Sequence, residues 1–546
     1  MNVIEITIIM LATVVASSFI ERLCGRRIPL PFIQILLGAA LAGLFDFRIE
    51  LEPELFLLLF IAPLLFLDGW RIPTSGLRRD RGAVVALALG LVLFTVVGVG
   101  LFIHWLIPAV PLAIAFALAA VLSPTDAVAV SAISARTPLP GRLMHIIEGE
   151  ALLNDASGLV CMRFALAAAL TGSFSLWQAS AAFAWLAVGG LVLGALVTVA
   201  ANTAKDWIAA RFGEETGSQI LISILIPFAA YLLANYIGVS GVLAAVAAGI
   251  AMNFEELSGR AQPITRIRRS AVWRTIQFAL NGIIFILLGD QLPAIVRAAE
   301  SGAGAIAASD TGGLLLLAAQ IYAVLLLLRF LWGWLTLRFL LFRWVRRSGG
   351  RKVPAVRLAA ITSLAGVRGA LTLSGVMAFP LTMLDGSAFP ARDLCIALAA
   401  GAIILSLLLA YAGLPLLVKG IELPRETRRE TQESQARIAA ATAAITAVED
   451  RLEHMAERQG TADAEVEAGA RLVAIYRQRI EAREKGASDA EFARQVDRAE
   501  RQLQIVALRA ERDQLYHLAR SGDLAEESVR ALVREIDLLE TRFARH

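Results

Sequence analysis

Charge is what this sequence has least of. Only 18% of its 546 residues are Asp, Glu, Lys or Arg, while 57% are apolar, a balance that excludes an ordinary soluble protein of this size and points to a chain crossing a membrane many times. Cysteine is scarce: Cys24, Cys161 and Cys395 each lie within or beside an apolar segment, with no zinc-binding spacing and no implied disulfide. They read as small buried hydrophobes. The net charge of +4 is modest and carried by short loops, so nucleic acid is not an expected partner. The N-terminus lacks the basic stretch of a cleaved signal and reads as a retained first span. No nucleophile–base or metal constellation is found, so neither an enzyme nor a resident cofactor is expected.

What the chain does have is apolar runs bounded by charges, glycine and proline. They suggest about thirteen spans, near residues 2–20, 28–45, 52–69, 82–107, 111–134, 141–171, 177–203, 217–236, 239–253, 273–293, 312–340, 355–381 and 392–420. Cytoplasmic loops gather Lys and Arg. Alternate loops here do so, with Arg26 and Arg27, then Arg78, Arg79 and Arg81, later Arg266, Arg268 and Arg269, and last Arg346, Arg347, Arg351 and Lys352. The expected topology is multi-pass in a bacterial plasma membrane, N-terminus outside and C-terminus cytoplasmic. After Pro424 the composition turns to Glu, Arg, Ala and Gln with apolar residues at three- and four-residue intervals, the pattern of amphipathic helices. The expected division is therefore a membrane domain at 1–423 and a cytoplasmic helical domain at 424–546.

Within these apolar segments a few polar groups stand out. The sixth span holds Glu150, Asn154 and Asp155. Glu150 and Asn154 share a helix face, and Asp155 lies about 100° further round. An ionised group at the bilayer centre costs at least ~2.5 to 3.5 kcal/mol, so it needs a partner, a cavity or an ion. Glu150 reads as half of a structural ion pair, Asp155 as a functional group. The fifth span carries Ser123, Pro124, Thr125 and Asp126 near its middle. Pro124 has no N–H and displaces the carbonyl four residues back, so the helix should break there and free its carbonyls. Such breaks are tolerated where they line a cavity, and transporters bind ions at them. The twelfth span repeats the theme with Gly366, Arg368 and Gly369. A seven-span offset makes the two breaks antiparallel, as in an inverted repeat of spans 1–6 and 8–13. Arg368 either plugs the freed carbonyls or holds a carboxylate. Arg329, deep in the eleventh span, needs an acid. Glu150, Asp155 and Asp126 are available, and Glu150 is the assignment that leaves both aspartates free. Asn281, at the middle of the tenth span, has no Lys or Arg beside it.

At these residues the chain resembles the bacterial sodium/proton antiporters of the monovalent cation/proton antiporter-1 family, which also includes the animal Na⁺/H⁺ exchangers. SPTD in the fifth span, the acid, Asn and Asp of the sixth, the Arg of the eleventh and GVRGA in the twelfth occur in the family's order. The resemblance covers roughly the first 420 residues. It implies a thirteen-span fold, a homodimer formed through the membrane domain, and elevator-like alternating access. Carried over, Asp155 and Asp126 become ion and proton ligands, Thr125 offers its carbonyl, Asn154 marks an electroneutral cycle, and Glu150 with Arg329 forms the stabilising pair. One departure concerns coordination: some relatives have a Ser ligand directly after the Glu, where Ala151 stands here. Ser157 or a water would replace its oxygen.

Two carboxylates close together in a low-dielectric pocket resist simultaneous ionisation, and a bound Na⁺ removes that penalty. Cation and proton then compete for the same oxygens, and the competition couples their fluxes. The expected cargo is Na⁺, or Li⁺ or K⁺, exchanged for H⁺. A K⁺/H⁺ antiporter, a symporter and a gated cation channel are the rivals. A channel needs a continuous pore, usually repeated around an axis, which two antiparallel broken helices do not provide.

Overall fold

The structure is a computed structural model that describes residues 3–25, 28–45, 53–71, 90–126, 130, 141–171, 176–257, 262–300, 311–345, 355–383, 385–419, 427–459, 463–485, 490–521, 532–533 and 535–540, apart from some side chains within helices. The basic loops at 26–27, 72–89 and 346–354 lie outside the described residues. The chain divides into two compact units, Met1–Leu423 and Pro424–His546. Among the described residues both are helical, with one isolated bridge between Thr382 and Ala388. Hydrocarbon offers backbone groups no partner, so a chain this apolar satisfies its N–H and C=O groups within helices.

The first unit runs through α1 (Val3–Leu23), α2 (Leu30–Phe45) and α3 (Pro53–Phe56), which passes by a π-helical turn at Leu57–Ile61 into α4 (Ala62–Arg71). Then come α5 (Leu91–Leu106), α6 (Leu112–Leu122), α7 (Gly141–Thr171), α8 (Leu176–Phe212), α9 (Thr216–Ile237), α10 (Gly241–Leu257), α11 (Pro263–Glu300) and α12 (Thr311–Val345). The last three are α13 (Ala355–Leu364), α14 (Ala370–Met377) and α15 (Arg392–Val418). Among the described residues six helices are by themselves long and apolar enough to cross a membrane. The protein is an all-α, multi-pass membrane protein.

Two helices outrun their expected spans the furthest. α8 continues to Phe212, where its apolar run was expected to end at 203, and α11 begins at Pro263 rather than 273. Hydropathy marks where lipid begins. Lys, Arg, Gln and Ala are good helix formers in water, so these helices project past the apolar boundary.

Small residues set the closest packing. α10 passes between α4 and α8 at backbone contact: a Cβ on Gly249 would collide with the Phe66 carbonyl oxygen, and one on Gly194 with that of Ala244. Glycine allows this approach because interior packing leaves no slack for a methyl group. At one end of the same block Arg269, expected as a loop charge, is buried at 1% exposure. It sits 5.1 Å from the centre of the Trp70 ring and 3.4 Å from Glu256 Oε1. Trp70 Nε1 donates to the other oxygen of Glu256, so the buried cation has a counter-charge and an aromatic face.

The second unit contains α16 (Thr427–Gln459), α17 (Asp463–Lys485) and α18 (Ala490–Ser521). Leu452 of α16 packs where Gly469 of α17 leaves room. In α18 Arg512 Nη1 donates to Asp537 Oδ1 at 2.9 Å and to Glu540 Oε2 at 2.6 Å. Solvent-accessible surface pairs contribute at most ~1 kcal/mol each.

Candidate ion site at two helix breaks

α6 ends at Leu122, and Ser123 to Asp126 leave the helix before the chain passes outside the described residues at 127. Ser123 and Thr125 are buried there, at 4% and 3% exposure. The second break separates α13 from α14 over residues 365–369. The two breaks are fastened to each other. Asp126 N donates to Val367 O at 2.8 Å, and Arg368 Nη1 donates to the carbonyls of Ser123 and Pro124, each at 2.9 Å. Arg368 N donates to Ser406 Oγ of α15 at 2.9 Å. The guanidinium thus satisfies carbonyls that the proline break deprived of helical partners.

Gly369 determines where the Asp126 carboxylate lies. A Cβ at Gly369 would occupy the place of Asp126 Oδ2, so the carboxylate rests against bare backbone. Inserting a methyl group into packed surroundings costs about 1 to 3 kcal/mol. If that cost falls on the transport geometry, Gly369→Ala slows exchange by about tenfold to a hundredfold. The check is the rate of pH-gradient dissipation, with size-exclusion chromatography showing the variant still folded.

α7 brings the sixth-span residues to this crossing. Asn154 Nδ2 donates to Thr125 Oγ1 at 2.9 Å, tying α7 to the first break, while its Oδ1 is buried with no protein partner. One turn earlier, Glu150 Oε1 lies 2.5 Å from Arg329 Nη1 of α12, with both side chains at most 5% exposed. Arg329 Nε donates to Thr362 O of α13 at 3.1 Å, and a Cβ on Gly366 would strike the same guanidinium. Asp155 follows Asn154 in α7, and its side chain lies outside the described residues. Ser157 is half-buried on α7.

Ser123, Pro124, Thr125, Asp126, Glu150, Asn154, Arg329, Gly366, Arg368 and Gly369 therefore gather at one place, from the two helix breaks and from α7 and α12. Sequence reasoning missed Ser406 and Thr362. Ser406 is a lone hydroxyl in an apolar run, a weak signal; Thr362 acts through its carbonyl, which has no signature.

Residues 7–420 match the family described as sodium/hydrogen exchanger, transmembrane. The chain is 39% identical over 546 residues to an uncharacterized Na⁺/H⁺ exchanger of Escherichia coli, covering 99% of this chain and 98% of that one. It is 36% identical over 546 residues to a sodium, potassium, lithium and rubidium/H⁺ antiporter of Bacillus subtilis, covering 99% and 78%. The solved sodium proton antiporter of Methanocaldococcus jannaschii shares the fold, with a TM-score of 0.56 over 77% of this chain and 99% of that one, at 18% identity. Since the family match spans nearly all of the unit that contains both helix breaks, the chain belongs to the sodium/hydrogen exchanger family of membrane transporters.

Proposed function

We propose that the protein exchanges Na⁺, and with it Li⁺ or K⁺, for protons in an electroneutral cycle serving pH and sodium homeostasis. The carrying observation is the crossing, where Asp126, Thr125 and the carbonyls of the first break meet Arg368 and Gly369 of the second inside an apolar unit. Broken helices that bring an acid and freed carbonyls together suit alternating access better than a continuous pore. Asp126 and Asp155 are the proposed carboxylates, Thr125 the carbonyl donor, and Asn154 the amide that holds the break. In this reading the thirteen spans form two inverted halves and a homodimer assembles through the membrane domain. The N-terminus faces outward, and the 424–546 unit is cytoplasmic. The breadth of cations named for the Bacillus subtilis relative supports including K⁺.

A pH unit across the membrane supplies about 1.36 kcal/mol per proton, enough for a tenfold cation gradient at one for one. The direct test is dissipation of a pH gradient in everted vesicles on addition of each alkali cation. Electroneutrality has its own test. Asn154 puts an amide where a second acid would stand, and Asn281 has no Lys beside it to carry a compensating proton. The membrane potential, worth ~2.3 kcal/mol per charge per 100 mV, then adds nothing to the equilibrium. In proteoliposomes whose potential is set by a gradient of a permeant organic ion, since K⁺ is itself a proposed cargo, the Na⁺ gradient at which proton flux reverses stays fixed. A reversal point that moves with potential overturns the role given to Asn154.

A further inference from the structure

In the helices of this protein threonine hydroxyls commonly bond back to the carbonyl four residues earlier: Thr13 to Ile9, Thr171 to Ala167, Thr203 to Val199 and Thr275 to Ala271. Thr372, on the first turn of α14, does not. It is buried at 1% exposure, and its Oγ1 has no hydrogen-bond partner among the described residues. The carbonyl four residues back belongs to Arg368, within the break. Leaving a hydroxyl buried and unpaired costs about 1 to 3 kcal/mol. Such a group therefore points to a partner present when the protein works.

Its direction is set by its neighbours. Gly369, three residues earlier, abuts the Asp126 carboxylate, and Gly375, three residues later, abuts Val121 of α6. Thr372 and Gly375 are three apart in α14 and share a helix face, so Thr372 lies on the face turned to the fifth span, three residues after the glycine that abuts Asp126. Asn154 Oδ1, on the side chain that holds Thr125 of the first break, is also buried without a partner among the described residues. Each break thus has an unpaired uncharged oxygen associated with it. Alkali cations bind by exchanging hydration for such oxygens.

We infer that the Thr372 hydroxyl oxygen is a neutral ligand in the coordination shell of the transported alkali cation. The inference rests on the exchange reading above. It separates cation binding from proton binding, because a hydroxyl contributes to the first and does not titrate. Thr372→Val keeps the shape and removes the oxygen. Half-saturating Na⁺ should rise about tenfold, with the maximal rate unchanged and the pH at half-maximal activity unchanged when each protein is assayed at the same multiple of its own half-saturating Na⁺. Thr372→Ser, which keeps the oxygen and deletes a methyl, should stay within about twofold of wild type.

The assay is Na⁺-dependent proton flux in proteoliposomes of the full chain, after size-exclusion chromatography. Unchanged half-saturation in Thr372→Val overturns the inference. So does a Thr372→Ser protein as impaired as Thr372→Val, which would assign the position to packing. If Thr372→Val fails to fold, Thr372→Ala against Thr372→Ser decides the same question, since Ala also lacks the oxygen. A wild-type protein that moves no protons with any alkali cation overturns the exchange reading together with this inference, whereas normal wild-type exchange with unaffected variants overturns the inference alone.

Discussion

Asp155→Asn reduces cation-dependent dissipation of a pH gradient to the level of vesicles lacking the protein, while the variant still inserts and folds. Asparagine preserves volume and one carbonyl oxygen. It can neither carry a proton at physiological pH nor offer a second anionic oxygen to a cation. If exchange arises because proton and cation compete for one carboxylate, the substitution removes both competitors at once. No cation concentration or pH then restores flux, in contrast to Thr372→Val, which high Na⁺ should rescue. The measurement is acridine-orange fluorescence recovery in everted vesicles over a range of Na⁺ and Li⁺ concentrations. Wild-type recovery by the variant removes Asp155 from the mechanism.

The second large effect concerns stability. Arg329→Ala leaves Glu150 buried at 3% exposure without the guanidinium that stands 2.5 Å away. Breaking a buried pair from one side costs on the order of 3 to 5 kcal/mol. Since Arg329 also donates to Thr362 O at the end of α13, its loss frees that carbonyl as well. Removing both charges is less harmful than removing one, because no uncompensated ion is left in a low-dielectric interior. The Glu150→Gln/Arg329→Gln protein should therefore melt in detergent at a higher temperature than Arg329→Ala and give more folded material. A double variant no more stable than either single Gln variant would show that the two side chains act independently.

How far these features could be read in the sequence depended on whether a residue type carried the signal. α7 was expected at 141–171 and occupies Gly141–Thr171, because Pro140 and Gly172 punctuate both ends. The break in the fifth span was legible because Pro124 coincides with two hydroxyls and an acid, whereas Pro227, Pro293 and Pro415 in apolar runs sit inside continuous helices, and that in the twelfth because two glycines bracket a buried charge. Helix ends beyond the lipid were not legible: α8 and α11 continue through Lys205 and Arg266, which hydropathy reads as loop and helix propensity does not. Arg269 looked like a loop charge, and its burial depends on Trp70 and Glu256, distant in sequence. Arg368 was expected either to plug freed carbonyls or to hold a carboxylate, and it donates to the carbonyls of Ser123 and Pro124; its main-chain bond to Ser406 was not legible, since any residue supplies an N–H. Thr372 was hidden because a threonine in an apolar helix ordinarily bonds to its own backbone.

In the proposed site Arg368 also sets the charge balance that a transported ion has to meet. A guanidinium stays protonated at any pH the cell meets, so the crossing always carries one fixed positive charge, held on the carbonyls of Ser123 and Pro124. Against two carboxylates in the proposed site, that leaves room for one further positive charge. A proton or an alkali ion fills it and brings the buried ensemble to neutrality. Ca²⁺ or Mg²⁺ would leave a surplus charge in a medium that resists it, at a cost of several kcal/mol. Exclusion of divalent ions then follows from counting charges at the two helix breaks and needs no filter of fixed diameter.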